Sequence, residues 1–378
     1  MDVKQQQQQQ QQQKPRPIYK NAFVTIALFV MSIATILMIM LPIEILQIFN
    51  PSLAFTLNTI IASQWYRFML FIFQVVNQIN VNITGEKELP QGECALIMVN
   101  HPSEVDWLFL WFLAIKQKAL SKIKFILKNE IRFVPLVGWG CDNIEYIYLT
   151  RDWEYDEAHL RYKLTKMRDV YQTKPWVTIF PEGTDIDKTK LEKSWAYAEK
   201  NGFPKFNNVL LPRTKGVQAC LDVYRDTFDA VYDVTMSYDC GKPTIPSLLL
   251  SKNPNIVNIN VGRIPISQVP KTEDKLQPWL FKIYQEKDKL LQYQKDNGKY
   301  PFNSIANQED HSIYLAGLVW SIGILFTIYN LFTSSTLRWY ALVSMIFYAV
   351  SASSNKLREM RGLNRPGAVY STSSKKQQ

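Results

Sequence analysis

The stretch ALIMVNHPSEVDW, residues 95–107, decides how this chain is read. An uninterrupted apolar run, ALIMV, breaks at Asn100-His101 and gives way to helical periodicity over about residues 105–119. A short apolar run bounded by polar residues and followed by a 3.6-residue pattern reads as a buried strand feeding a helix. The same grammar recurs through the middle of the chain. KIKFIL, IEYIYL, WVTIF, NNVLL, AVYDVTMSY and NIVNINVGRIPI are strand candidates, with helical patterns at residues 155–171 and 215–224 and a charged helix at about 272–296. Strands alternating with helices over about residues 85–300 predict an α/β domain. Such domains bind ligands beyond the C-terminal ends of their strands. Two polar clusters fall there: ALIMV runs into Asn100-His101, and WVTIF runs into Pro181-Glu182-Gly183-Thr184.

Of the three histidines, His101, His159 and His311, only His101 has an aspartate five residues on, Asp106. A histidine titrating near neutrality is the common general base, and a carboxylate fixes its tautomer and stabilises the imidazolium. A strand-end His with an Asp one turn into the next helix lets the two side chains meet. The alternative is a plain helix start, with Asn100 or Ser103 as cap and Glu104 and Asp106 favouring the dipole. The spacing leaves both open. FPEGT likewise reads either as a turn or as a place where backbone amides approach a ligand. Lys128, Arg132 and Arg151 lie in KNEIRFVPLVGWGCD and YLTRD, and Arg213 and Lys215 in NVLLPRTKG. Basic residues at successive strand ends fit a phosphate-binding rim, although isolated ones are usually solvated.

Other chemistries leave no trace. G-x-S-x-G, H-E-x-x-H, Walker A and G-x-G-x-x-G are all absent. The four cysteines have no C-x-x-C or zinc-finger spacing, so free thiols are expected and no metal is implied. The net charge of +10 comes without a nucleic-acid-binding motif. A membrane-facing protein that handles anionic phosphates accounts for it. A His/Asp pair without a protein nucleophile suits direct attack by a substrate alcohol on an activated acyl group such as a thioester.

Outside the central block the chain is too apolar for a soluble protein. Residues 22–41 carry no charge over a length that spans a bilayer core. A secretory signal peptide is the rival reading, but no small-residue cleavage site follows before Pro42. Residues 53–79 carry Arg67 and several aromatics, and either span or lie in the interface. Residues 313–337 and 339–355, separated by Arg338, read as a transmembrane hairpin. Lys and Arg concentrate before residue 21 and after residue 355, which places both ends in the cytosol. The expected organisation is a disordered polyglutamine tail (1–20), N-terminal membrane segments (21–80), the α/β domain (85–300), a C-terminal hairpin (312–355) and a basic cytosolic tail (356–378).

Four stretches occur in an order that resembles the glycerolipid acyltransferase family: NHPSEVD, then VPLVGWG through YLTRD, then FPEGT, then VLLPRT. DWLFLW and SWAYAEKNGFPKFNNVLLPRTKG are more similar still to its lysocardiolipin/lysophospholipid acyltransferase branch. The resemblance implies a glycerolipid-acyltransferase-like α/β domain between N-terminal and C-terminal membrane helices. It also implies esterification of the free hydroxyl of a lysophospholipid (lysophosphatidic acid, lysocardiolipin or a relative) in phospholipid synthesis or remodelling. Acyl-CoA would be the co-substrate, with no bound cofactor. In that role His101 is the base, Asp106 its partner, and Arg151 with the Glu182-Gly183-Thr184 turn binds the glycerophosphate. Lys128, Arg213 and Lys215 would complete the phosphate rim. The first block departs from the family's usual pattern at Pro102 and Glu104. The ending Lys375-Lys376-Gln377-Gln378 is similar to a dilysine retrieval signal for the endoplasmic reticulum, which works only on a cytosolic terminus, where the charge count places it. An ordinary basic tail is the alternative. If the first two hydrophobic segments both span, or both lie in one leaflet, the catalytic domain of this multi-pass membrane protein also faces the cytosol. Two other functional readings stand beside the enzyme: a membrane-anchored lipid- or acyl-CoA-binding protein that has lost catalysis, and a lipid hydrolase using the same base on water.

Overall fold

The computed structural model describes residues 18–86, 89–239, 241–249, 256–305 and 310–366. The polyglutamine run, Cys240 and the dilysine ending lie outside the described residues. Among the described residues the centre is a seven-stranded sheet: β1 (Asn80–Gly85), β2 (Ala95–Val99), β3 (Ile123–Lys128), β4 (Ile147–Leu149), β5 (Trp176–Ile179), β6 (Ala230–Tyr238) and β7 (Ile256–Pro265). Their spatial order is β1-β7-β6-β2-β5-β3-β4. β6, β2, β5, β3 and β4 run parallel, while β7 pairs antiparallel with β6 and carries β1 alongside it.

Strands buried on both faces read as unbroken apolar runs rather than alternating ones, and every residue of β2 is buried. Its side chains divide between two cores. Ala95, Ile97 and Val99 join a cluster with Phe109, Trp111, Tyr66 and Phe68, whereas Leu96 and Met98 join Leu160, Leu164, Val217, Leu221 and Tyr284 on the other face. The first face is covered by α4 (Asp106–Lys116) and the N-terminal helices α1 (Ile18–Ser32), α2 (Leu41–Phe49) and α3 (Pro51–Phe71). The second is covered by α6 (Trp153–Asp169), α8 (Thr214–Tyr224) and α10 (Glu273–Asn297); α5 (Val137–Asn143), α7 (Lys188–Lys200) and α9 (Ile245–Leu249) lie in the connections. This is the expected α/β domain.

Three sequence expectations change. NNVLL forms no strand, because side chains take its amides: Asn208 N–H bonds Asp288, Leu210 N–H bonds Glu182 and Leu211 N–H bonds Ser194. A strand not expected from the sequence, β1, pairs with β7 from Asn80 onward, ahead of the candidate strands. The C-terminal pair forms two helices, α11 (Ser312–Thr333) and α12 (Ser335–Ser353), broken at Ser334. Among the described residues, three helical stretches are long and apolar enough to cross a membrane: Thr25–Phe49, Pro51–Val76 and Ser312–Thr333. Arg338 and the serines of α12 lower its apolarity, so it does not join them.

The described start of the basic tail packs onto the fold. Helix α13 (Asn355–Met360) folds back, and buried Arg358 makes a bidentate pair with Asp142 at 2.5 and 3.0 Å. Arg361 pairs with Glu44 at 2.9 Å. Both cations are therefore neutralised inside the fold.

Candidate active site

Because β2, β5, β3 and β4 are parallel, the segments after them leave the sheet at one edge. These are Asn100-His101, Phe180–Glu182, the Lys128 end of β3 and Thr150-Arg151. Asn100 extends the pairing of β2 with β6. Its side-chain amide donates to Met236 O at 3.0 Å, and its Oδ1 accepts from Met236 N–H at 2.7 Å. The next residue, His101, thus leaves a backbone that is already fixed.

His101 Nδ1 lies 2.9 Å from Asp106 Oδ2; the histidine side chain keeps 15% of its exposure and the aspartate 0%. The same Oδ2 accepts from Ser103 N–H at 3.0 Å, and Oδ1 accepts from the Tyr238 hydroxyl. Burial raises the Asp106 pKa, while the bonds from His101, Tyr238 and Ser103 work against it. With Nδ1–H directed at the carboxylate, Nε2 is the basic nitrogen of the ring. Phe180 stacks on that ring at 4.4 Å between centroids and 28°.

A second carboxylate holds the backbone. Glu182 Oε1 accepts from His101 N–H at 2.9 Å and Oε2 from Leu210 N–H at 2.9 Å. One buried side chain thus ties the His101 segment to FPEGT and to NVLLPRTKG. Burial pushes its carboxyl up to about 7 against these hydrogen bonds. Both oxygens are thus committed to protein amides, one of them that of His101. Gly183 follows with φ +72°, and a Cβ there would stand 3.6 Å from Arg213 Nε. Arg213 N–H donates to Pro181 O at 2.8 Å, and its exposed side chain lies across the turn. Thr184 bonds Asp185, which pairs with Lys190.

The other rim residues are exposed and farther round the edge. Arg151 has φ +71°, and its N–H donates to Asp156 Oδ2 at 2.8 Å. Lys128 pairs in register with Leu149, two residues before Arg151. Lys215 lies 5.8 Å from the Trp153 ring. The structure thus brings His101, Asp106, Glu182, Gly183 and Arg213 together, and ranges Lys128, Arg151 and Lys215 along the same edge without contacts that join them to the histidine.

Glu104 faces away from the dyad's hydrogen bonds. Its carboxylate accepts from Ile245 N–H at 3.0 Å, and Ser103 donates to Pro243 O, so residues 243–245 are laid against NHPSEVD. His159 is a core histidine whose pKa burial lowers to about 3, which removes it as a rival base. Among the described residues no group of three or more His, Cys, Asp and Glu side chains is placed to hold a metal ion. Sequence reasoning missed Tyr238, the last residue of AVYDVTMSY. Its signal was available only through topology, because β6 pairs directly with β2. It also missed buried Lys287, whose ammonium donates to Val234 O at 2.6 Å and ion-pairs with Asp233 beneath the same strands.

The chain is similar to known proteins. A family model described as Acyltransferase matches residues 80–222, and one described as Acyltransferase C-terminus matches residues 248–327. A probable 1-acyl-sn-glycerol-3-phosphate acyltransferase 5 from Arabidopsis thaliana is 34% identical over 298 residues, covering 78% of this chain and 79% of that protein. Lysocardiolipin acyltransferase 1 from Gallus gallus is 30% identical, covering 74% and 75%. The solved structure of the 1-acyl-sn-glycerophosphate acyltransferase PlsC from Thermotoga maritima aligns with a TM-score of 0.42 and 16% identity, covering 72% of this chain and 95% of that one. The chain belongs to the glycerolipid acyltransferase family that includes the 1-acyl-sn-glycerol-3-phosphate and lysocardiolipin acyltransferases.

Proposed function

We propose that this acyltransferase moves a fatty acyl group from acyl-CoA to the free hydroxyl of a lysophospholipid, with His101 as general base. The observation that carries the proposal is the 2.9 Å contact between a part-exposed His101 and a sealed Asp106. His101 Nε2 accepts the acceptor's hydroxyl proton as that oxygen attacks the thioester carbonyl. The tetrahedral intermediate collapses with cleavage of the carbon–sulfur bond, and the imidazolium returns its proton to the departing CoA thiolate. The products are one ester and one CoA thiol, and the histidine ends neutral. Asp106 holds the ring and balances the imidazolium charge. Arg213 beside the Gly183 turn, with Lys128, Arg151 and Lys215 along the edge, supplies exposed cations for the acceptor's phosphate.

The acceptor would be lysophosphatidic acid, lysocardiolipin or a related lysolipid, after the names of the relatives. The setting would be the endoplasmic reticulum membrane, with the α/β domain facing the cytosol and membrane helices at both ends. The alternative is a membrane-anchored binding protein that has lost catalysis, and purified protein that binds acyl-CoA without turnover would favour it. The test supplies membranes containing the protein with labelled oleoyl-CoA and a panel of lysophospholipids. At least one acceptor becomes acylated. Failure with every acceptor and several acyl chain lengths contradicts the proposal, and release of free fatty acid without acceptor consumption points to hydrolysis.

A further inference from the structure

The turn between β3 and α5 is built tightly and yet leaves apolar side chains in the open. Phe133, Val134 and Val137 are 49%, 46% and 45% exposed, and Pro135 between them is exposed as well. Exposed apolar clusters of this kind are uncommon on a surface that meets only water. Nor is the turn loosely held. Val134 N–H bonds Ile131 O at 3.0 Å, and Gly138 N–H bonds Val134 O at 2.9 Å. Tyr148 donates to Gly138 O at 2.9 Å. Leu136 is held at φ +64°, and Gly138 sits so close to Arg132 that a Cβ would stand 2.3 Å from its carbonyl oxygen.

What the turn is rooted in identifies its partner. Trp139, two residues on, is buried and stacks on Tyr348 of α12 at 5.6 Å. A Cβ on Gly140 would stand 3.2 Å from Ile36, inside the apolar stretch Thr25–Phe49. Helix α12 presents exposed Trp339, Val343, Met345 and Ile346, and α2 presents Ile48 and Phe49. The apolar turn is thus continuous with Thr25–Phe49, which is apolar enough to cross a membrane, and with the exposed apolar face of α12. On its other side it joins Lys128 and the sheet edge that carries His101.

We propose that residues 133–137 insert into the bilayer interface as a wedge that does not span, holding the His101 edge of the sheet against the lipid headgroups. Phe133, Val134 and Val137 enter the acyl boundary, while Lys128 and Arg151 remain at headgroup depth, where cations are attracted to anionic lipid. A lysophospholipid then meets the base without leaving its leaflet. The insertion itself does not depend on the acyl-transfer reading.

The test places a cysteine at Val134 and, as an aqueous reference, at exposed Lys200 on α7, each labelled with nitrobenzoxadiazole in nanodiscs of phosphatidylcholine and phosphatidylserine. The unsubstituted protein, labelled in parallel, sets the background from its own thiols. At position 134 emission shifts to the blue and is quenched by lipids carrying a nitroxide high on the acyl chain. Iodide quenches it about threefold less than at position 200. Equal quenching by iodide at the two positions, with no effect of the nitroxide lipid, overturns the proposal whether or not the protein is active. A second arm pairs Phe133→Asp with Val134→Asp. Acylation of a lysophospholipid embedded in vesicles falls about tenfold, while a short-chain acceptor dissolved as monomer is acylated within about twofold of the unsubstituted rate. Unchanged activity on vesicles contradicts the wedge. If both activities fall because the double variant misfolds, the quenching comparison decides.

Discussion

Replacing Tyr238 by Phe removes a single hydroxyl from the underside of the dyad and leaves the ring to pack as before against Phe109. Asp106 is fully buried, so its Oδ1 gains no water in exchange and loses the donor that Tyr238 supplies. A hydrogen bond to a charged group is worth about 1.5–3 kcal/mol. Oδ2 keeps both His101 and Ser103 N–H, so the carboxylate is weakened rather than released. If Asp106 stabilises the imidazolium that forms as His101 takes a proton, a loss of about 1.4–2 kcal/mol in the transition state lowers kcat about 10- to 30-fold. The hydroxyl touches no substrate, so KM stays within about twofold of its original value. The assay measures initial rates of CoA release at saturating acyl-CoA over a range of lysophospholipid, with thermal unfolding recorded on the same preparation. Retention of kcat within about twofold, with the fold intact, would refute the argument that Asp106 acts through this bond. So would a loss confined to KM.

The remaining predictions concern stability and pH. Burial carries Glu182 from an ordinary value of 4.5 to about 7, so between those values the folded chain holds a proton that the unfolded chain has lost. Its contribution is fully present below pH 4.5 and is lost as pH rises through 7, by up to about 3 kcal/mol. Glu182→Gln lacks that dependence, and the stability advantage of the natural protein over it should shrink from pH 5 to pH 8 in thermal unfolding; a constant difference argues against it. Asp142→Asn leaves buried Arg358 without its counter-charge and should cost about 3–5 kcal/mol, read as a lowered Tm. Gly85→Ala places a Cβ 2.0 Å from Val261 O at φ +128° and should abolish folding. Gly183→Ala meets only ordinary contacts, and the left-handed backbone alone should cost about 1–2 kcal/mol.

What sequence could convey depended on how local each feature is. The ends of β2 and β5 were legible because a doubly buried strand is an unbroken apolar run that stops at a polar cluster. The His101–Asp106 pair was legible because six consecutive residues of one chain segment carry both groups. NNVLL looked like a strand since Val209 and Leu210 are buried, but their neighbours' amides are satisfied by Asp288, Glu182 and Ser194, which no local pattern reveals. β1 escaped notice because Asn80, Asn82 and Thr84 interrupt its apolar positions and its partner β7 lies far along the chain. Tyr238 needed the strand order, and the role of Glu182 needed two amides from distant segments. Arg358 and Arg361 counted only as charge of a basic tail because their partners, Asp142 and Glu44, come from elsewhere in the chain.

The central claim is that His101 removes the proton from a lipid hydroxyl while Asp106 and Glu182 hold it in place. The most direct measurement compares the purified protein with His101→Ala in the same lipid, following CoA thiol and acylated phospholipid together. The natural protein should form the two products in equal amounts. His101→Ala should lose at least about a hundredfold in kcat, the scale of a positioned general base, at an unchanged Tm. Acyl transfer by His101→Ala at the full rate, or CoA released without an acylated phospholipid, would contradict the account.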